Sequence, residues 1–199
     1  MSFTTLIDYL QHNWLEVIGI FTSLLCIWLN TLQNTWGWFW SIVSSGIYAV
    51  IYWQYQLYSD MELQGIFIIL SLYGWYQWLY GTKEQENLKV TKIPFKLVPF
   101  CGLFCLVFAL ASGYYHANST DASFPYLDAT LTAISLIAVW MTAKKYLENW
   151  ILWIFADFIY TGMYFSKHLI GTSILYFLLL LLAVKGYMDW KKTAVINHE

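Results

Sequence analysis

The chain is a succession of apolar runs, each about as long as a helix needs to cross a bilayer, repeated from near its start to near its end. A helix rises about 1.5 Å per residue and the hydrocarbon core is about 30 Å thick, so one span takes roughly 20 residues. Apolar stretches bounded by polar punctuation fall at 15–32, 38–56, 62–80, 96–115, 127–143, 149–166 and 170–189. The breaks between them carry Gln33-Asn34, Ser59-Asp60, the run 81–92, the run 116–125, Lys144-Lys145 and Lys167-His168. Only 11% of residues are charged and 59% are hydrophobic, whereas soluble domains carry roughly 25% charge. The expected class is an all-α membrane protein with seven transmembrane helices in a single transmembrane domain over 1–199.

The basic residues orient this topology. All ten are Lys. On a seven-span path Lys83, Lys89, Lys92, Lys96, Lys144, Lys145, Lys185, Lys191 and Lys192 fall on one side and Lys167 on the other. The positive-inside rule then predicts a cytoplasmic C-terminus and an N-terminus outside. No basic residue precedes Lys83, so a cleavable signal peptide is not expected and the first span is kept. Cys26, Cys101 and Cys105 lie inside apolar runs, as packing residues rather than disulfide or metal partners. His12, His116, His168 and His198 sit in loops or termini, which excludes mid-span haem ligation. No second deep carboxylate accompanies Asp157 for intramembrane aspartyl catalysis. With a net charge of −2 and no basic cluster, nucleic acid is not an expected partner. Neither enzymatic activity nor a cofactor or metal is expected.

An ungapped offset of 112 residues aligns the chain with itself. Leu15 meets Leu127, Glu16 meets Asp128, Ser23 meets Ser135, Trp28 meets Trp140 and Trp38 meets Trp150. Tyr48 meets Tyr160, Tyr52 meets Tyr164, Leu57 meets Leu169, Gly74 meets Gly186 and Trp78 meets Trp190. A unit of three spans repeats in the same orientation only if one further span separates the copies. The expectation is a 3+1+3 plan: one repeat over about 15–80, a linking helix over about 96–115, and a second, parallel repeat over about 127–190. Parallel repeats related by an axis along the membrane normal are a transporter architecture with a solute site between the halves.

Trp150, Trp153, Asp157, Tyr160 and Tyr164 follow one another at +3, +4, +3 and +4, which places them on one helical stripe. A carboxylate near mid-bilayer costs several kcal/mol on insertion scales and turns toward a cavity or partner, so this stripe faces inward. An aromatic cation stacked on Trp gains roughly 1–2 kcal/mol when desolvated, and a nearby carboxylate offsets its charge. The matching positions of the first repeat are Trp38, Ser41, Ser45, Tyr48 and Tyr52, with Ser41 and Ser45 leaving room where Trp153 and Asp157 stand. Gln56 and Gln64 flank the turn into the third span, as ligand contacts, gates or loop polarity. Asn34 and Asn149 cap helices or line the cytoplasmic mouth. The bland reading of Trp36, Trp78 and Trp190, near span ends, is interfacial anchoring.

These residues carry a family likeness. Leu57-Tyr58, Leu63-Gln64 and Tyr73-Gly74-Trp75-Tyr76-Gln77-Trp78, then Lys145 to Trp153 and Asp157 in the second half, resemble the PnuC family of bacterial vitamin transporters. The likeness runs from about Leu15 to Trp190, and the Trp-x-x-Trp-x-x-x-Asn/Asp element appears as Trp150, Trp153 and Asp157. It implies facilitated diffusion of a small vitamin across the bacterial inner membrane, with trapping by phosphorylation, and a homotrimer. The riboside branch typically has Asn where this chain has Asp157, so the likeness is closest to the thiamine branch, PnuT, and thiamine is the expected solute. Nicotinamide riboside is the alternative within the family. A seven-span sensor or receptor is the alternative of another class, weakened by the absence of a deep Lys in the last span.

Overall fold

The computed structural model describes residues 14–54, 58–81, 88–119, 124–166 and 170–194. Among them are seven long helices: α1 (Trp14–Thr31), α2 (Trp36–Gln54), α3 (Tyr58–Tyr80), α4 (Val98–Ser119), α5 (Pro125–Ala143), α6 (Asn149–Ser166) and α7 (Ile170–Thr193). A 3-10 turn, Phe95–Leu97, leads into α4. Four segments suffice to cross a membrane on length and composition alone: Trp14–Thr31, Phe95–Ser119, Pro125–Ala143 and Thr172–Thr193. α2, α3 and α6 are as long, at 19, 23 and 18 residues. Their Trp, Tyr, Gln and Ser content lowers mean hydropathy, because these helices carry the polar-aromatic interior. The Ser59-Asp60 break expected before the third span lies inside the first turn of α3, where small polar and acidic residues are favoured.

α1, α2 and α3 pack in sequence, α5, α6 and α7 do the same, and α4 lies against α5. The halves meet reciprocally, α3 against α5 and α7 against α1. This is the 3+1+3 plan. α4 turns most of its circumference outward, with Phe100, Leu103, Leu106, Val107 and Leu110 all exposed to the surroundings, as lipid contact allows.

In lipid the apolar effect does little to hold helices together, so close packing and hydrogen bonds carry the association. Four tryptophans supply the packing, and two of them the hydrogen bonds. Trp38 meets Trp78 edge to face at 5.4 Å and 88°, and Trp150 meets Trp190 at 5.3 Å and 90°. Trp78 and Trp190, equivalent by the repeat, approach each other at 5.9 Å. The indole N–H of Trp78 donates to the carbonyl of Thr142, and that of Trp190 to the carbonyl of Asn30, at 3.1 and 3.0 Å. Each bond crosses between repeats. Trp78 and Trp190 are therefore core residues, 5% and 0% exposed, and not the interfacial anchors their positions near span ends suggest; Trp36, 58% exposed, keeps an outer position.

The helix ends repeat as well. α1 closes with Gln33 donating to the Asn30 carbonyl and Asn34 to that of Leu29; α5 closes with Lys145 donating to Thr142 and Tyr146 to Met141. These are paired Schellman caps, in which the residue after the helix takes a left-handed conformation. Gln33 and Lys145 do so at φ 55° and 53°. Asn34 then caps α2, accepting from the Trp36 N–H at 2.9 Å.

Candidate functional site

α6 presents its predicted stripe to the bundle interior. Trp150 and Asp157 are buried at 2% and 4% exposure, and Trp153, Tyr160 and Tyr164 are partly buried. Asp157 stands eight residues into α6, roughly 12 Å along the helix. No ion pair of Asp157 is present among the described residues. Beyond it Tyr160 and Tyr164 lie 6.0 Å apart, and Tyr176 of α7 stacks on both, at 4.7 and 5.2 Å. Tyr176 has no motif to mark it. The 112-residue offset does place it opposite Gln64, and there the structure puts a third aromatic ring. Tyr52 of the first repeat lies close enough to Tyr160 and Tyr176 to act on them electrostatically, so the halves converge on this tyrosine group.

The first repeat offers the quieter wall. Tyr48 and Tyr52 pair at 6.0 Å, echoing Tyr160 and Tyr164. Ser41 shares a 2.8 Å hydrogen bond with Ser71 of α3, and Ser45 is buried. Gln64 is partly buried on α3, and Gln56 lies outside the described residues. Trp38 is enclosed in the tryptophan quartet, as is Trp150 in the other half. The indole N–H groups of both are buried with no acceptor among the described residues, a symmetric pair of open donors. Asn149 is fully enclosed: its amide donates to the Tyr146 carbonyl at 2.6 Å and its oxygen accepts from Thr142 at 3.0 Å. It anchors the turn between α5 and α6, and both its polar ends are occupied.

At the lysine-rich end the residues between the halves are closely packed, with Val90 1% exposed against the quartet. Thr91 pairs with the α5–α6 turn, donating to the Lys145 carbonyl at 3.1 Å and accepting from Leu147 at 2.9 Å. The Glu148 carboxylate takes the Ile93 N–H at 2.9 Å. Lys145 is 6% exposed, its ammonium 3.3 Å from the Gln33 oxygen and 4.5 Å from the Trp78 ring centre. Burial alone lowers its pKa to about 8. Among the described residues no cluster of His, Cys, Asp and Glu is arranged to hold a metal.

The chain resembles known proteins over nearly its whole length. It is 25% identical over 207 residues to the nicotinamide riboside transporter PnuC of Escherichia coli, covering 92% of this chain and 87% of that protein. It is 23% identical over 188 residues to the riboflavin/roseoflavin transporter RibM of Streptomyces davaonensis, covering 90% and 86%. A crystal structure of the vitamin B3 transporter PnuC superposes with a TM-score of 0.71 at 20% identity, over 96% of this chain and 86% of that one; at that identity it speaks for the fold. With the family model described as nicotinamide mononucleotide transporter running over residues 13–192, the chain belongs to this PnuC family of membrane transporters.

Proposed function

We propose that the chain carries nicotinamide riboside, a pyridinium cation on a ribose, into the cell across the bacterial inner membrane by facilitated diffusion, where phosphorylation traps it. The observation that carries this reading is the match to relatives named for nicotinamide riboside; Asp157, the buried carboxylate of the described residues, lies without an ion pair on the aromatic stripe of α6 and suits a cationic solute of either kind. A buried charge is costly unless it meets its opposite, and a cationic solute brings that charge with it. Trp153 and the tyrosine group supply ring faces, which attract an organic cation by roughly 1–2 kcal/mol when water is excluded. Relatives named for nicotinamide riboside match over some nine-tenths of this chain, and they favour a riboside cargo over thiamine.

Asp157 also supports a second reading. Thiamine carries a permanent thiazolium charge, and the acid in place of the riboside branch's usual Asn suits it. Titrating Trp fluorescence of the purified protein with nicotinamide riboside, thiamine and riboflavin separates the two, with Asp157→Asn run alongside. The riboside is expected to bind, and the variant, which carries the Asn usual in the riboside branch, to bind it at least as well. Tight thiamine binding without riboside binding exchanges the first reading for the second. Riboside binding that the Asn variant loses instead makes the Asp157 charge the recognition group and leaves the cargo unchanged. Uniport further expects that an imposed pH gradient drives no accumulation above equilibrium in proteoliposomes. The reading includes a homotrimer with the lysine-rich end in the cytoplasm.

A further inference from the structure

The described residues bury two charged side chains, and they differ in sign. Asp157 lies in mid-bundle; Lys145 lies at the lysine-rich end. Among the described residues Lys145 has no carboxylate partner, only the Gln33 oxygen at 3.3 Å and the Trp78 ring at 4.5 Å. The other described lysines reach solvent or sit at the rim. Gln33 and Lys145 are equivalent by the 112-residue repeat. Two equivalent residues that touch each other must do so at the axis relating the halves, and so must Trp78 and Trp190, 5.9 Å apart. The ammonium therefore sits on the pseudo-two-fold axis, directly over the tryptophan quartet.

Its position is built with care. The Lys145 backbone holds a left-handed conformation that disfavours side chains, its carbonyl is tied to Thr91, and the Trp78 indole is fixed by its bond to Thr142. Gln33 is held in turn by donating to the Thr193 hydroxyl at 2.8 Å. An ammonium over an indole face occupies the site that a passing aromatic cation would seek. A fixed positive charge in a narrow path also raises the barrier to protons and metal cations.

We infer that Lys145 is an ion-exclusion plug, a tethered cation on the axis that turns back protons and alkali ions and yields only to an organic aromatic cation competing for the Trp78 ring. The inference rests on the proposed passage of solute between the halves. It leaves open which vitamin passes.

Proteoliposomes holding the full chain and a trapped pH dye, under a potassium diffusion potential and with no vitamin present, report proton leak directly; a sodium dye reports the second ion. The wild type is expected to be tight. Lys145→Gln and Lys145→Met are expected to leak about tenfold faster, and Lys145→Arg to stay tight, since the Arg variant restores the charge. Retained Trp quenching by the cargo shows that each variant is folded. Gln33→Met, which removes the ammonium's acceptor without touching Lys145, is expected to raise the leak about threefold, as loss of one hydrogen bond of modest net strength implies. Equal tightness of wild type, Lys145→Gln and Gln33→Met, with cargo binding intact, overturns the plug. A leak that grows equally in Lys145→Arg also overturns it, because the effect then follows shape and not charge. No cargo enters the leak assay, and the fold control takes whichever vitamin quenches the wild type, so a wrong vitamin assignment leaves these outcomes unchanged.

Discussion

Burying a lone charge costs stability, and Asp157 and Lys145 are the two charged side chains that the described residues bury. The acid sits on a helical stripe whose spacing, +3 and +4 from its tryptophan and tyrosine neighbours, makes its inward direction legible from the sequence. Lys145 reads there only as one of many lysines that orient the chain. Its burial depends on a left-handed cap after α5 and on a partner 112 residues away, neither of which a local pattern contains. The consequence is a pH effect on stability. Burial holds the folded-state pKa at about 8, below the ordinary lysine value of 10.5. Between those values the unfolded chain holds more protons than the folded one, so stability rises with pH across that window. Below pH 8 the charged group destabilises fully, and above 10.5 the penalty is gone. The melting temperature of the wild type in detergent should therefore gain on that of Lys145→Met as pH rises from 8 to 10; parallel curves would show that the buried ammonium costs nothing.

At the scale of elements, the duplication is legible in Trp and Gly positions alone, because Trp38, Gly74 and Trp78 recur as Trp150, Gly186 and Trp190. Their purpose is not legible there. Trp near a span end suits an interface equally well, and only the packing of α3 on α5 and of α7 on α1 decides that Trp78 and Trp190 face the core. Tyr176 escaped for a related reason: it belongs to α7, whose long leucine-rich run carries no stripe, and it gains meaning only where α7 meets α6. The two glycines make a matched test. A methyl group on Gly74 would lie 2.5 Å from Trp38 ring atoms, and one on Gly186 2.6 Å from those of Trp150. Overpacking of this kind costs about 1–3 kcal/mol. Gly74→Ala and Gly186→Ala should each lower the melting temperature and alter near-UV circular dichroism, by similar amounts. A large effect at one and none at the other would show that the halves are not packed alike.

For the molecule as a whole, the repeat makes two similar halves, and the strap at Val90 and Thr91 makes them unequal. The strap follows α3 in the sequence and pairs with the α5–α6 turn of the other half, so it ties the second repeat to the segment that follows the first. If solute leaves through that end, the halves must part there, and Thr91 must let go of Lys145 and Leu147. Thr91 and Tyr146 are paired residues of a parallel bridge, and neighbouring strands lie about 4.8 Å apart, inside the range of roughly 4.4–6.8 Å between α-carbons that a disulfide accepts. Thr91→Cys with Tyr146→Cys, in a chain whose Cys26, Cys101 and Cys105 are replaced, should oxidise readily and lock the end shut. Uptake into proteoliposomes should fall to background on oxidation and return on reduction, while solute binding measured by Trp quenching persists. Full transport by the oxidised protein would mean that the strap travels with the moving half, and the exit would then have to open between other elements.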